Sequence, residues 1–370
     1  MSAALIELVS RGVQDTYTTS NPEVSFFRQN YKRYTNFAIK PERLDYIGTF
    51  ASNNEVSIPI RSKGDLLSYV WVECADIGSV GDNTKGFFSS TKQPTEFSLW
   101  IGGQEVCRLD SLYIQGVHNA LYRPDAAKSS MAVTTTDVKA NAVGYSGATA
   151  GHYIIPFFFS EDWTKSLPLV ALANHQVEIR IKCCSGFAPT ESPRVYGTFI
   201  FLDTQERDFF VKTEHRLLIN QVQHQPMSET DTEVDLSYFN HPCRAVHVVS
   251  SKTGGTWAQN YSFAESTLYI NGTPLFDGTS NVYHHTIVPE LHTTSVPDDL
   301  LDTLPLYTWP FALTLNKSQM TGSLNFSRID TATLKLKSPT GGSGAVTRAY
   351  AVNMNVLRIR DGMGGVAFGN

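Results

Sequence analysis

Three histidines are the residues in this sequence whose type and spacing most suggest metal binding. His284, His285 and His292 lie close together, and imidazole nitrogens are common zinc ligands. Adjacent residues of a strand point to opposite faces of a sheet, so His284 and His285 would not share one ion if they lie on a strand. We therefore expect histidines held by ordinary hydrogen bonds, and neither a metal nor any other cofactor.

A second candidate is a run of alternating acidic residues, Asp231, Glu233 and Asp235. Calcium-binding loops use this alternation, but they also require a glycine for the sharp turn. Leu236 occupies that position here. We expect a strand with one acidic, solvent-exposed face.

Other motifs that carry chemistry are absent from the sequence. There is no G-x-S-x-G elbow, no glycine-rich phosphate loop and no H-E-x-x-H pair. A catalytic pair of carboxylates could be hidden among the acids, but nothing selects one. We assign no catalytic residue and predict that the protein is not an enzyme. Four glycosylation sequons occur, and we expect them to be accidental, with Asn260 and Asn271 kept as weak candidates; the others are Asn316 and Asn325.

Composition narrows the class of protein further. The net charge of −5 argues against a nucleic-acid coat, and we expect no sequence-specific contact with nucleic acid. The five cysteines form no C-x-x-C pair, which is typical of a reducing compartment. The longest apolar run, residues 153–159, is interrupted by Pro156 and is too short to span a bilayer. The N-terminus lacks a signal-peptide pattern, so we expect a soluble protein made inside the cell.

The N-terminal region carries helix signals in two places. Leu5, Leu8, Val9 and Val13 mark one face of a short helix within an arm. Asn21 and Pro22 then predict a helix start. That helix would carry four aromatic residues with cations between them, namely Phe26, Phe27, Tyr31 and Tyr34 with Arg28, Lys32 and Arg33. Such a mixture can stack on nucleic-acid bases, but we expect the aromatic residues to pack on a sheet.

Two further helices are predicted inside the chain. Asp110 precedes an apolar helical pattern that Pro124 closes. Asp203 and Glu206 have the spacing of a capping box, which predicts a helix from about Thr204 to Val211. A strand through Leu217, Ile219 and Val222 follows it. We interpret this segment as a charged joint that holds two β-rich halves at a fixed angle.

Short alternating segments separated by Gly, Asn, Asp and Ser predict strands before and after that joint. In the first half they cover residues 56–60, 67–72, 97–101, 177–181 and 198–202. The second half repeats the first: Tyr307-Thr-Trp-Pro-Phe lies 154 positions after Tyr153-Ile-Ile-Pro-Phe, and Tyr350 lies 154 positions after Tyr196. Thr333-Leu-Lys-Leu-Lys follows Glu178-Ile-Arg-Ile-Lys at 155, and Leu268-Tyr-Ile-Asn-Gly follows Leu99-Trp-Ile-Gly-Gly at 169.

Four matches in one order indicate tandem copies of one β-fold. The fold class we predict is all-β: two tandem eight-stranded jelly-roll sandwiches, a double jelly roll, with short helices in loops and an N-terminal arm. The predicted boundaries are residues 1–25 for the arm, 26–206 for the first jelly roll, 207–218 for the joint and 219–370 for the second jelly roll.

Many stretches along the whole chain resemble the major capsid proteins of large icosahedral DNA viruses of eukaryotes, such as chlorella viruses and iridoviruses. They include residues 5–15, 21–28, 31–37, 101–104, 167–172, 201–207, 214–219, 239–242, 322–330, 353–359 and 362–368. The candidate assembly residues within these stretches are Asp15, Asn21, Pro22, Phe26, Phe27, Tyr31, Arg33, Asn36, Phe37, Asp203, Glu206, Arg207, Asn325, Phe326, Arg328 and Asp330.

The resemblance implies a structural protein of the virion's outer capsid. It implies homotrimers of hexagonal outline that tile an icosahedral shell beside neighbouring capsomers. Beneath the shell it implies minor capsid proteins and an internal membrane, with the arm on the inner side.

Three other functions fit parts of the pattern. A carbohydrate-binding, lectin-like jelly roll predicts exposed aromatic loops, whereas Trp71, Trp100 and Trp257 lie in or beside predicted strands. A cupin-type enzyme needs a His/Glu set on facing strands, which the sequence lacks. A minor capsid paralogue would share the fold.

Overall fold

We analysed a computed structural model of the chain. It describes residues 10–29, 31–61, 63–74, 87, 94–122, 152–189, 191–253, 256–257, 261–294, 304–341 and 345–369. The predicted loop at 125–150, the sequon at Asn260 and most of the predicted helix face at residues 5–13 lie outside these ranges. The chain forms two compact units, one up to Asn36 and one from Phe37 onward.

The described part of the N-terminal unit contains a short helix, α1 (Thr16–Thr19), preceded by Asp15, whose carboxylate accepts a hydrogen bond from Gly12 N at 2.8 Å. The predicted helix after Asn21 is wrong: no helix forms in residues 20–29 or 31–36. Asn21 adopts the left-handed conformation at φ 50°, which does not start a helix. The four aromatic residues are exposed, Phe27 by 99%, so burial does not stabilise a short helix here.

We call the first half of the larger unit roll 1, and its described residues form nine strands. They are β1 (Phe37–Leu44), β2 (Glu55–Ile60), β3 (Leu66–Glu73), β4 (Glu96–Ile101), β5 (Gln104–Asp110), β6 (His152–Ile155), β7 (Leu167–Pro168), β8 (Val177–Lys182) and β9 (Arg194–Leu202). Four form sheet 1A in the order β1-β9-β3-β6, with β7 paired to β3. Four others form sheet 1B in the order β2-β8-β4-β5.

The second half, roll 2, repeats this arrangement. Its strands are β10 (His215–Met227), β11 (Glu233–Asp235), β12 (Pro242–Ser250), β15 (Glu265–Ile270), β16 (Thr273–Ser280), β17 (Leu306–Pro310), β18 (Leu324–Asn325), β19 (Ala332–Lys337), β20 (Thr347–Arg360) and β21 (Met363–Val366), with a small hairpin of β13 (Lys252–Thr253) and β14 (Thr256–Trp257). Sheet 2A has the order β10-β20-β12-β17, and sheet 2B the order β11-β19-β15-β16. The shared strand order confirms the predicted double jelly roll.

Helices occupy equivalent connections in the two rolls. In roll 1, α2 (Ser111–Tyr113) continues as a π-helix, π1 (Ile114–Tyr122). In roll 2, a π-helix, π2 (Tyr283–Ile287), continues as α4 (Val288–His292). Between the rolls lies α3 (Thr204–Lys212). One-turn 3₁₀ helices span Phe158–Ser160, Trp163–Lys165, Leu169–Ala171 and Phe326–Arg328. None of the helices in the described ranges is long and apolar enough to cross a membrane.

The joint helix forms where the capping signal predicted. It runs over Thr204–Lys212, and Asp203 Oδ1 accepts Thr204 N at 2.8 Å. None of its residues is buried. It lies against the 3₁₀ helix Leu169–Ala171 of roll 1, and Arg207 forms an ion pair with Asp65 at 3.1 Å; one partly exposed ion pair contributes little to stability. A second, buried contact between the two rolls is described below.

Candidate assembly surfaces

The two rolls of one chain meet across the outer face of sheet 2A. In β12, Val246 and Val248 point into the core of roll 2, so His247 points to the other side. That outer side is covered by roll 1, because His247 Nε2 lies 2.8 Å from the hydroxyl of Tyr122 in π1. Gln221 on β10 donates to Val106 O on β5 at 2.6 Å. The strand β5 and the helix π1 therefore form the side of roll 1 that packs on sheet 2A.

A buried ion pair lies at the centre of this contact. Asp110 ends β5 and caps the following helix, with Tyr113 N donating to Oδ1 at 2.6 Å. The same carboxylate accepts Arg348 Nη1 at 2.7 Å and the hydroxyl of Tyr350 at 2.8 Å. All three residues are buried. Burial and the nearby Asp110 carboxylate raise the pKa of Tyr350 well above its ordinary value, so its hydroxyl remains a donor.

Apolar packing continues through the same contact. The core cluster of roll 1 also includes Ile219, Tyr350, Val352 and Leu357 of roll 2. Burial lowers the pKa of His247 to about 3, so this histidine is neutral at ordinary pH. A shared core with a desolvated ion pair explains how the two rolls are held as one body.

The equivalent outer face of sheet 1A is exposed in the chain. In sheet 2A, His247 lies opposite Tyr350. Trp71 and Tyr196 occupy the corresponding opposite positions in sheet 1A. Those two rings stack at 5.5 Å with an interplanar angle of 17°. At the edge of the same sheet, Ile39 is 47% exposed and Phe37 is 49% exposed. An aromatic and apolar sheet face thus lies open where its counterpart is covered.

Roll 2 also exposes the counterpart of the surface with which roll 1 covers sheet 2A. Ser280 ends β16 as Asp110 ends β5, and Tyr283 N donates to its hydroxyl at 3.4 Å. The following helix exposes Ile287 and Leu291, the latter by 68%, and Leu275 is exposed on β16. In roll 1, by contrast, the residues of π1 from Ile114 to Leu121 are buried.

The C-terminal hairpin adds a second attachment between the rolls. The turn between β20 and β21 lies against Asn174 of roll 1, whose backbone N–H donates to Gly362 O at 2.9 Å, and the neighbouring His175 Nδ1 contacts Gly364 O on β21 at 3.0 Å. A Cβ atom at Gly102 would collide with the ring of His175, and φ there is +59°. Glycine is therefore required at this position by both its conformation and its packing.

The histidines that suggested metal binding are engaged in separate hydrogen bonds. His284 lies between Thr279 Oγ1 and Thr308 O, His285 contacts Leu306 O, and His292 contacts Ala312 O. His284 and His285 lie on π2 rather than on a strand, and their rings bond to different carbonyl oxygens. Within the described ranges, no group of three or more His, Cys, Asp or Glu residues could hold a metal ion.

The acidic run and the cysteines behave as small structural features. Glu233 and Asp235 are exposed on β11 while Val234 is buried. The cysteines at 74, 107, 183, 184 and 243 are buried and form no disulfide bond. Trp71 and Trp100 lie on β3 and β4, and the side chain of Trp257 lies outside the described part.

The candidate assembly residues fall into three separate places. Asp15, Asn21, Pro22, Phe26, Phe27, Tyr31, Arg33 and Asn36 are exposed in the N-terminal unit, and Phe37 begins β1. Asp203, Glu206 and Arg207 belong to the start of α3. Near the end of roll 2, Asn325 Oδ1 accepts Ser327 N at 3.0 Å, Phe326 is buried, and Arg328 ends that turn. Asn271, at φ 48°, accepts Asp330 N at 3.0 Å.

Sequence reasoning missed the residues that join the rolls. It assigned Asp110 only a capping role and used Tyr350 only to detect the repeat. The pairing of Arg348 with Asp110 joins residues 238 positions apart, and no local pattern marks such a contact. The offset of 154 between Tyr196 and Tyr350 was the available signal.

Comparison with known proteins agrees with this architecture. Residues 25–203 match the family of the major capsid protein N-terminus, and residues 206–365 match that of the large eukaryotic DNA virus major capsid protein. The chain is 28% identical to the major capsid protein of Pyramimonas orientalis virus and 29% identical to that of Paramecium bursaria Chlorella virus 1, in each case over 100% of both chains.

A solved structure, described as the PBCV-1 virus capsid quasi-atomic model, has the same fold. It superimposes with a TM-score of 0.75 at 24% identity, covering 94% of this chain and 100% of the other. With two tandem jelly rolls and matches over nearly its whole length, this chain belongs to the family of large eukaryotic DNA virus major capsid proteins.

Proposed function

We propose that this chain builds the outer capsid shell of a virion as a homotrimer in which the contact between chains repeats the contact within each chain. A capsid role follows from family membership, and capsid subunits need no catalytic site. The single observation that supports the trimer is the pair of exposed surfaces whose counterparts are buried against each other inside the chain.

The proposed contact places π2, α4 and β16 of roll 2 on sheet 1A of the next chain. Ile287 and Leu291 would then approach Trp71, Tyr196 and Ile39 of the neighbour, as π1 approaches His247 and Tyr350 within one chain. A head-to-tail contact of this kind forms a closed ring when the rotation that relates one chain to the next divides a full turn into equal parts. Three chains present six rolls, so closure as a trimer gives a capsomer of hexagonal outline.

The trimer is tested by placing a charge in each of the two surfaces. We expect Ile39→Asp and Leu291→Asp each to weaken association by at least about a hundredfold, because an unpaired carboxylate would be desolvated in the contact. Met363→Asp is the matched control, since Met363 is exposed on β21, which belongs to neither surface. Analytical ultracentrifugation measures the effect. Stable monomers of the unaltered protein at micromolar concentration would contradict the proposal, as would trimers that tolerate both substitutions.

We extend the proposal to the shell around the trimer. Trimers pack beside neighbouring capsomers, with minor capsid proteins and an internal membrane beneath, and the chain is made in the host cytoplasm. We retain the division into an arm (1–25), a first roll (26–206), a joint (207–218) and a second roll (219–370).

The N-terminal arm is proposed to act in shell assembly. Its described part exposes Val13 and Tyr17, and it belongs to a compact unit separate from the two rolls. We expect removal of residues 1–20 to leave urea unfolding of the rolls unchanged while lowering the yield of closed particles in electron micrographs. An unaltered particle yield from the truncated chain would contradict this role.

A further inference from the structure

We infer that the outer faces of sheets 1B and 2B are the surfaces through which one trimer binds the next, by paired acidic and basic side chains of a second copy. This inference rests on the proposed trimer. The contact inside the chain uses sheet 2A with β5 and π1, and the proposed contact between chains uses sheet 1A with β16 and π2. In each roll the outer face of the second sheet remains uncovered.

The two uncovered faces carry the same chemistry at the same positions. On sheet 1B, the guanidinium of Arg180 lies 4.3 Å from the ring centre of Trp100. On sheet 2B, Lys335 Nζ lies 5.3 Å from the ring centre of Tyr269. The strand pairing places each cation diagonally across from its aromatic ring in both sheets.

An acid and a lysine repeat in the same way. Glu96 is directly opposite Lys182 on sheet 1B, and Glu265 is directly opposite Lys337 on sheet 2B. The second pair is an ion pair of 2.9 Å whose two side chains remain about half exposed. Cross-strand pairs of this kind stabilise a sheet only weakly. Sheet stability alone is therefore a weak reason for both rolls to carry an acid and a lysine at these positions.

Self-complementary charge is what a contact between two copies of one face requires. When a face meets its own copy across a twofold axis, each acid must meet a base and each base an acid. A face that carries one fixed acid and one fixed lysine meets that condition. Because both faces share the pattern, a 1B face can meet either a 1B or a 2B face of the next trimer.

Sheet 1B also provides space for a partner's side chain. A shallow cavity of about 180 Å³ lies between Glu96, Trp100, Arg108 and Lys182. Its rim carries charges of both signs, because Arg108 forms an ion pair with Glu105 at 2.7 Å. Charged side chains around a small cavity favour a polar contact that weakens with salt.

The test uses two variants of the full-length chain with opposite charge changes. The acidic-face variant combines Lys182→Glu with Lys337→Glu, and the basic-face variant combines Glu96→Lys with Glu265→Lys. The chain carries −5, so both variants stay net negative and do not attract each other through overall charge. Ultracentrifugation first checks that each variant still forms trimers. Light scattering in low-salt buffer then measures attraction between trimers, and electron microscopy scores ordered sheets.

We expect each variant alone to associate at least about tenfold more weakly than the unaltered trimer, because like charges meet across the contact. An equal mixture of the two should recover the attraction, since acidic faces then meet basic ones. Repulsion within one sheet cannot be relieved by mixing, so recovery in the mixture excludes a purely structural role. Matched controls change the same charges elsewhere: Lys212→Glu with Arg216→Glu, and Asp208→Lys with Asp361→Lys, whose mixture should show no recovery.

The possible failures are distinguishable. Normal trimers whose attraction is unchanged in both variants would overturn this contact alone. So would a mixture that attracts no more than its components. An unaltered protein that never forms trimers would overturn the proposed trimer and this contact with it.

Discussion

Sheets 1A and 2A have the same strand order, but the outer face of one is open and that of the other is covered. Sheet 2A presents His247, Tyr350 and Arg348 to roll 1, and all three are buried. Sheet 1A presents Trp71, Tyr196 and Arg194 at the corresponding positions, and Arg194 is exposed. The covered face buries an ion pair beside apolar residues, whereas the open face combines two aromatic rings with Arg194 and with Glu73, whose Oε1 accepts Trp71 Nε1 at 2.9 Å.

This difference fits the kind of contact that each face makes. The contact inside the chain forms once, during folding. Asp110 and Arg348 belong to the same chain, so their ion pair stays formed in the folded protein. A face that must be exposed before assembly would leave such a pair hydrated, and its desolvation on binding would oppose association. Aromatic rings gain free energy on burial without that penalty. The surface of roll 2 that would bind sheet 1A shows the same difference, because it carries Ser280 at the position where roll 1 has Asp110.

The largest effect that separates the two rolls should come from their strand-ending caps. Asp110→Asn should lower the free energy of unfolding by about 3–5 kcal/mol, because it leaves the buried Arg348 without its carboxylate. Ser280→Ala, at the equivalent place, should cost about 1 kcal/mol or less, since it removes one long hydrogen bond. Urea unfolding measures both. Equal costs would contradict a special role for Asp110.

A smaller difference in the free energy of unfolding should separate variants of the equivalent turns, at Gly102 in roll 1 and at Asn271 in roll 2. Gly102→Asn should cost about 1–3 kcal/mol, because the new side chain would collide with His175. Asn271→Gly, in the turn of roll 2, should cost about 1 kcal/mol through loss of the hydrogen bonds to Asp330 N and Thr331 N. Thermal unfolding of the two variants checks the order. A tolerated Gly102→Asn would mean that the ring of His175 does not pack tightly against this turn.

Acid should weaken the covered face more than the open one. Burial lowers the pKa of His247 from 6.5 to about 3, so the unfolded chain binds its proton first as the pH falls. Above about pH 6.5 His247 is neutral in both states and does not reduce stability; the free energy of unfolding then falls as the pH drops from there to about 3. At pH 5 the free energy of unfolding should be about 2 kcal/mol lower than above pH 6.5.

The control for this prediction is His247→Gln, which removes the titrating group. The difference in unfolding free energy between pH 8 and pH 5 should shrink by about 2 kcal/mol in that variant. An unchanged difference would show that His247 is not neutral and buried. The counterpart of His247 in sheet 1A, Trp71, carries no titrating group at all.

The sequence predicted the repeated fold because the relevant signals are local. Alternation at residues 97–101 and 177–181, and the recurrence of their outward residues in roll 2, follow directly from the two-residue period of a strand. The capping residue Asp203 likewise marked the start of α3. These patterns need no knowledge of how the rolls pack.

Other features depend on tertiary contacts that no local pattern encodes. The segment that contains Phe26 and Phe27 was predicted to be helical, yet in this chain it is not helical and both rings are exposed. The helix after Asp110 forms as predicted but widens into π1, which is buried against sheet 2A. Asp110, Arg348 and Tyr350, which are distant in sequence, form a contact between the rolls that no capping or alternation pattern predicts.

The measurement that tests the repeated contact most directly is an electron cryomicroscopy structure of the purified trimer. We expect the rotation from roll 1 to roll 2 within one chain, and from roll 2 to roll 1 of the next chain, to be about 60° in each case. Leu291 should lie in van der Waals contact with sheet 1A of the neighbour. A trimer in which Trp71, Tyr196 and Ile39 face solvent would contradict the repeated contact.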